Sequence, residues 1–268
     1  MKIYLVEYVD LSFVLNLKQN HEIVDNISDA DIVITRNLKI DKSFIDQAKS
    51  LKCIAIHGTG ISEVDIEYAK KRGIVVFNAP YQNYESVAEF SILLALEAAR
   101  KYGKMELYKK RACILGYGHI GKRLEEMLIN AFSMDVTIYK RNDFFKEKVK
   151  DCDFIFICMS LNKDNYHFFN EERLKELKKN SILINTARGA IVDSECIIKA
   201  LRENHLLCYA TDVFEDEPLK MDNPLLKERV IAYPHIASNT KEALKNIGDL
   251  LYLQINQFLN NETPKHSL

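Results

Sequence analysis

Residues 111–128, RACILGYGHIGKRLEEML, decide how the rest of the chain is read. An apolar run from Arg111 to Leu115 stops at Gly116, and a helical pattern of apolar residues starts around Gly121, so the segment reads as strand, glycine turn and helix. Gly116, Gly118 and Gly121 stand in G-x-G-x-x-G register. The first permits a tight turn, the second lets the backbone approach a diphosphate, and the third lets the helix pack closely on the strand. The amides and partial positive charge of the helix N-terminus complete an anion site. In this setting the motif predicts dinucleotide binding. The next strand, Val136 to Tyr139, ends on Lys140 and Arg141 where an acidic residue would accept hydrogen bonds from the ribose diol of NAD. Two cations there favour the extra phosphate of NADP, through charge-assisted contacts.

Outward from that segment, short β-branched runs alternate with amphipathic stretches. Strands are expected at Lys2 to Glu7, Asp31 to Thr35, Lys52 to His57, Ile74 to Asn78, Asp153 to Met159, Ser181 to Asn185, Leu207 to Asp212 and Val230 to Tyr233. Strands spaced by helices imply βαβ units and parallel sheets, and the nearly continuous apolar runs near residues 155 and 183 suit strands covered on both faces. The fold class is α/β, doubly wound. Two long helical patterns, Glu85 to Lys101 and Thr240 to Leu259, mark crossings between domains. Residues 1–84 with 238–268 then form one domain and residues 85–237 a second.

Hydrophobic residues make up 47% of the 268, enough for a large core in each of two domains. Lysine and arginine number 37 against 38 acidic residues, so the net charge of -1 gives no global field for nucleic acid or an anionic membrane. No leader-like h-region and no bilayer-spanning run stands in the sequence, and a cytoplasmic location is expected. The six cysteines form no CxxC pair, which argues against a zinc site or a disulfide framework and for reduced core thiols.

Six segments occur in an order that resembles the D-isomer-specific 2-hydroxyacid dehydrogenase family: HGTGISEVDIEYAKKRGIVVFNAP, SVAEFSILLALEAAR, GYGHIG, NTARGAIVD, TDVFEDEP and PHIASNT. The resemblance covers most of the chain. It implies two Rossmann-like domains with the active site in the interdomain cleft, residues 1–84 plus 238–268 binding substrate and residues 85–237 binding NAD(P). It implies hydride transfer between the nicotinamide and C2 of a small 2-oxo or 2-hydroxy acid such as glyoxylate or hydroxypyruvate, with no metal. Carried over by position, Arg188 of NTARG binds substrate, Glu217 of DEP is the acidic partner, and His235 of PHI is the acid/base. Asp212 stands near the nicotinamide carboxamide, His119 and Ile120 occupy the phosphate-turn positions, Thr186 and Ala187 border the nicotinamide strand, and Asn165 lies near the cofactor. Gly58, Thr59 and Gly60 of the HGTG loop offer backbone amides to the substrate carboxylate.

These residue types suit the chemistry. A guanidinium donates two parallel hydrogen bonds to a carboxylate. A carboxylate beside histidine favours its protonated form and orients the ring for proton transfer to the carbonyl oxygen. Two other readings share the scaffold: a cofactor-sensing, corepressor-like binding protein, and a phosphoglycerate dehydrogenase, for which Arg36 or Lys39 would contact a phosphate. A formate or phosphite dehydrogenase is disfavoured, because formate enzymes of this kind carry glutamine where Glu217 stands. The sequence departs from the family between Arg100 and Gly116, where only 15 residues intervene and a helix is missing. A homodimer is therefore expected to use an altered interface. Ser160 replaces a frequent proline and Asn165 a frequent threonine.

Overall fold

The β-branched runs become parallel strands throughout the computed structural model, which describes residues 1–268. Contacts divide the chain into two units, residues 1–83 with 239–268 and residues 84–238.

In the first unit, β1 (Lys2–Leu5), β2 (Glu22–Val24), β3 (Ile32–Thr35), β4 (Cys53–Ile56) and β5 (Val75–Asn78) lie in the order β2-β1-β3-β4-β5, all parallel. Helices α1 (Leu11–Lys18), α2 (Lys42–Ile45) and α3 (Ile66–Lys71) each start after an aspartate. Asp10, Asp41 and Asp65 accept the amides of Phe13, Phe44 and Tyr68, which satisfies a helix-start donor in each case. β1 ends two residues before the expected Glu7, because Glu7 turns its carboxylate onto the backbone after β3, accepting the amides of Arg36, Asn37 and Leu38 at 2.7, 2.9 and 3.1 Å.

In the second unit, α4 (Tyr84–Ala98) leads into β6 (Arg111–Leu115), α5 (His119–Phe132), β7 (Asp135–Tyr139), α6 (Phe145–Val149), β8 (Phe154–Ile157), α7 (Glu171–Glu176), β9 (Ser181–Asn185), α8 (Ser194–Arg202), β10 (Leu206–Thr211) and β11 (Val230–Ala232). The parallel sheet runs β11-β10-β9-β8-β6-β7. Alternation along each strand splits the core in two. Cys113, Leu115, Ile155, Ile157 and Leu183 face one layer, while Ala112, Ile114, Phe154, Phe156, Ile182 and Ile184 face the other. The helical pattern expected to reach Lys101 is α4 followed by a π-turn over Ala99–Gly103, and Lys104 closes it in the left-handed region at φ 47°.

The last helix, α9 (Lys241–Leu259), belongs to the first unit and is capped by Thr240, which accepts the Ala243 amide. Its Ile247, Leu251 and Ile255 are buried in the same cluster as Phe13 and Leu17 of α1. Gly248 permits that approach, since a Cβ there would lie 3.0 Å from the Phe13 side chain.

Candidate active site

In the second sheet β6 has β7 on one side and β8 on the other, so the strand order reverses at the carboxyl end of β6. Ligands of open α/β sheets gather at such a point. Gly116 occupies it with φ +99°, and a Cβ there would lie 2.6 Å from the Met159 amide nitrogen, just past β8. A Cβ on Gly121 would lie 2.2 Å from the Gly116 carbonyl oxygen, so α5 can start this close to β6 only with glycine. Gly118 differs: it is the N-cap of α5, has no side-chain cap, and a Cβ on it would meet nothing within 4 Å. The first turn of α5 carries no acidic residue. The open space over Gly118 and the uncapped amides fit a diphosphate. His119 lies 5.8 Å from the Tyr84 ring and Ile120 is half-buried.

At the end of β7, Lys140 and Arg141 are exposed. Asp143, three residues after Lys140, accepts the Lys140 amide at 2.8 Å and pairs with Lys148 at 3.7 Å. Arg141 pairs with Asp164 on the loop after β8. Asn165 on that loop is buried, and its carboxamide serves the loop itself, accepting from the Asn162 amide at 2.7 Å and donating to Ser160 O at 2.8 Å.

The carboxyl ends of β9, β10 and β11 bring together residues that are far apart in sequence. After β9, Asn185 accepts the Ala187 amide and donates to Arg188 O, each at 3.0 Å, which shapes the turn. Thr186 Oγ1 is 2.8 Å from Ser91 Oγ of α4. Arg188 Nη1 donates to Ala187 O at 2.7 Å, and its charge acts on Glu217. Gly189 makes this possible: a Cβ on it would lie 1.9 Å from the Phe214 carbonyl carbon. Only glycine lets the Arg188 turn abut the segment that carries Glu217.

Glu217 Oε1 accepts the Phe214 amide at 3.0 Å, and Oε2 is 2.7 Å from His235 Nδ1. The two side chains are 26% and 21% exposed, with an edge open to solvent. Burial works to raise the Glu217 carboxyl, but the His235 hydrogen bond and charge, the Phe214 amide and Arg188 outweigh it and hold the group below its usual range. His235 sits in the left-handed region at φ 55°. Asp212, at the end of β10, enforces that turn: its carbonyl accepts the His235 amide at 2.9 Å, and its carboxylate accepts the amides of Ile236 and Ala237 at 2.8 and 2.7 Å. Ser86 of α4 donates to Ala237 O from the other side. Asp212 is 1% exposed. Burial pushes its carboxyl up to about 6 against those amides and His235, with Glu217 adding to the rise. Sequence reading missed Gly189, Ser86 and Ser91, although the glycine of NTARG and the serines of the SVAEFS segment were in view.

The remaining expected residues lie in the first unit. Gly58, Thr59 and Gly60 form the turn after β4, where Thr59 Oγ1 donates to Asn83 Oδ1 at 3.1 Å and Asn78 donates to Thr59 O at 2.9 Å. No Cβ contact would constrain Gly58. Arg36 donates to Asn239 at 2.7 Å, Lys39 is exposed, and the amides of residues 36–38 are already taken by Glu7.

A family model described as D-isomer specific 2-hydroxyacid dehydrogenase, NAD binding domain, matches residues 82–237. The chain is 34% identical to a glyoxylate reductase of Thermofilum pendens, over 91% of this chain and 82% of that one. It is also 34% identical to a D-3-phosphoglycerate dehydrogenase of Methanocaldococcus jannaschii over 91% of its own length, spanning only 53% of that relative. Among solved structures, a cofactor (NAD+)-bound 3-phosphoglycerate dehydrogenase of Entamoeba histolytica superposes with a TM-score of 0.86 at 30% identity, covering 100% of this chain and 98% of that one. No helix is long and apolar enough to cross a membrane.

Proposed function

The chain belongs to the D-isomer specific 2-hydroxyacid dehydrogenase family of nicotinamide-dependent oxidoreductases, and on that premise we propose that it interconverts a small, unphosphorylated 2-oxo acid and its 2-hydroxy acid, glyoxylate or hydroxypyruvate being preferred, with NADP favoured over NAD. Residues 84–238 are the proposed cofactor unit, and residues 1–83 with 239–268 the proposed substrate unit. The observation that carries the reading is the 2.7 Å contact between His235 Nδ1 and Glu217, with Arg188 acting on the same carboxylate.

In the reduction direction, Arg188 orients the substrate through paired hydrogen bonds to its carboxylate. The amides of Gly58, Thr59 and Gly60 are proposed further donors to that carboxylate. When bound, a reduced nicotinamide supplies hydride to C2. His235 holds a proton on Nε2 and delivers it to the carbonyl oxygen as negative charge develops there, while Glu217 stabilises the protonated ring through Nδ1. Asp212 keeps the His235 turn in place through three backbone bonds. Gly116, Gly118, His119, Ile120 and Gly121 form the proposed diphosphate turn, with Thr186, Ala187 and Asp212 along the nicotinamide side.

A phosphorylated substrate is disfavoured by Glu7. The amides of residues 36–38 converge on one point, as donors to a phosphate do, and an internal carboxylate already takes them. The test is a panel of 2-oxo acids assayed with NADPH and NADH by loss of reduced-nicotinamide absorbance. Turnover of glyoxylate or hydroxypyruvate above 3-phosphohydroxypyruvate supports the proposal. Tight NADPH binding with no turnover of any acid would overturn it in favour of a cofactor sensor.

A further inference from the structure

The residue between the first two glycines of the turn, Tyr117, is exposed, yet both of its ends are fixed. Its backbone belongs to the glycine turn, and its hydroxyl donates to Glu125 Oε2 on α5 at 2.5 Å. Two ammonium groups gather on its ring. Lys140 Nζ, from the end of β7, lies 5.6 Å from the ring centroid, and Lys122 Nζ, from the first turns of α5, lies 5.8 Å from it. Each distance is within the range in which an ammonium is attracted by the ring quadrupole. Arg141, the other cation of the strand end, points elsewhere and pairs with Asp164.

From this we infer that Tyr117 is a positioning residue that collects Lys140 and Lys122 into a two-ammonium site for the 2′-phosphate of NADP, and that Lys122, not Arg141, is the second specificity-determining cation. The inference rests on the NADP reading given above. Its physical basis is pre-organisation. Lysine side chains lose much rotamer freedom when fixed by a ligand, and a ring anchored at both ends holds two of them beside the glycine turn before any ligand arrives. The acids nearby are already engaged: Asp143 by the Lys140 amide and Lys148, and Glu125 by the Tyr117 hydroxyl. A dianionic phosphate therefore meets two ammonium groups whose neighbouring carboxylates have other partners. NAD, lacking that phosphate, gains nothing from either lysine.

Calorimetric titration of the whole chain with 2′,5′-ADP, 5′-ADP, NADPH and NADH tests this without relying on turnover. All four positions are exposed, so Lys122→Met, Lys140→Met, Arg141→Met and Tyr117→Leu are expected to fold, which thermal unfolding checks. The wild type should bind NADPH over NADH and 2′,5′-ADP over 5′-ADP. Lys122→Met and Lys140→Met should each weaken the 2′-phosphorylated ligands by about tenfold or more, the usual scale for a lost charge-assisted contact, and leave 5′-ADP and NADH unmoved. Tyr117→Leu should show a smaller loss with the same selectivity, and Arg141→Met less effect than Lys122→Met. If Lys122→Met weakens both ligand classes equally, or neither, while the wild type still prefers NADPH, the two-ammonium inference is overturned and the NADP reading stands. If the wild type binds NADH more tightly, the NADP reading itself falls.

Discussion

Replacing Glu217 by glutamine probes the acid/base pair with the least steric change. A glutamine carbonyl oxygen can keep the 3.0 Å bond from the Phe214 amide, so the loop should hold its shape. What disappears is the negative charge 2.7 Å from His235 Nδ1. With side-chain exposures of 21% and 26%, the pair is screened only in part. At an effective dielectric constant of about 20, opposite charges ~4 Å apart attract by about 4 kcal/mol. Arg188 acts on the same carboxylate and offsets part of its field at the ring. Without Glu217 the protonated ring loses its counter-charge, and reduction needs that protonated ring. Reduction should therefore slow by roughly 10- to 100-fold at neutral pH, the scale of losing about 1.4–2.8 kcal/mol of that attraction, and acidification should partly restore it. The assay is initial rate against pH under saturating 2-oxo acid and NADPH, with NADPH affinity followed separately by fluorescence and expected to be unchanged. A loss that deepens on acidification, or one of equal size at every pH, would refute the reasoning.

Three further outcomes follow from the same geometry. His235→Gln should keep cofactor affinity and lower kcat by about 10²- to 10⁴-fold, the usual contribution of a positioned acid, and near-normal kcat under chemistry-limited conditions would remove it from the mechanism. Gly121→Ala sets a methyl 2.2 Å from the Gly116 carbonyl oxygen; because both partners are backbone, the turn must open, costing about 1–3 kcal/mol of stability together with cofactor affinity, and unchanged thermal unfolding and NADPH binding would contradict this. Asp212→Asn tests a pH effect of defined sign: burial raises the native carboxyl to about 6 from an ordinary 3.8, so the native state holds its proton more tightly. The stabilising contribution is then full below about pH 4 and is lost as pH rises through about 6. Urea unfolding should show wild-type stability falling relative to the variant across that window by on the order of 1–3 kcal/mol, and a relative gain with rising pH would be the contrary result.

Much of the fold was legible in the sequence because its signals are local. The apolar runs of β8 and β9, the glycine turn, the helical period of α9 and the α/β alternation each follow from periodicity or backbone dihedrals over a few residues. Strand β2 was not legible: Glu22–Val24 is a three-residue, partly exposed strand at the sheet edge, too short to show alternation. The helical pattern over Glu85–Lys101 was legible, but not its closing π-turn at Ala99–Gly103, because an apolar pattern does not distinguish an α-turn from a π-turn.

In the site, the residue types of Arg188, Glu217 and His235 could be read from motifs, but their meeting could not. It depends on Gly189 fitting against Phe214, 25 positions later, and on Asp212 gripping the backbone of residues 235–237. The cation pair at the strand end divides for a similar reason: Arg141 finds Asp164, while Lys140 joins Lys122 over Tyr117. A dihedral preference or an apolar period acts within one segment, so the sequence by itself determined which elements form and which chemistry they carry. Which side chains share a charge, a proton or a hydrogen bond was decided only by tertiary structure, because those interactions fall off within a few ångströms and link segments that only packing brings together.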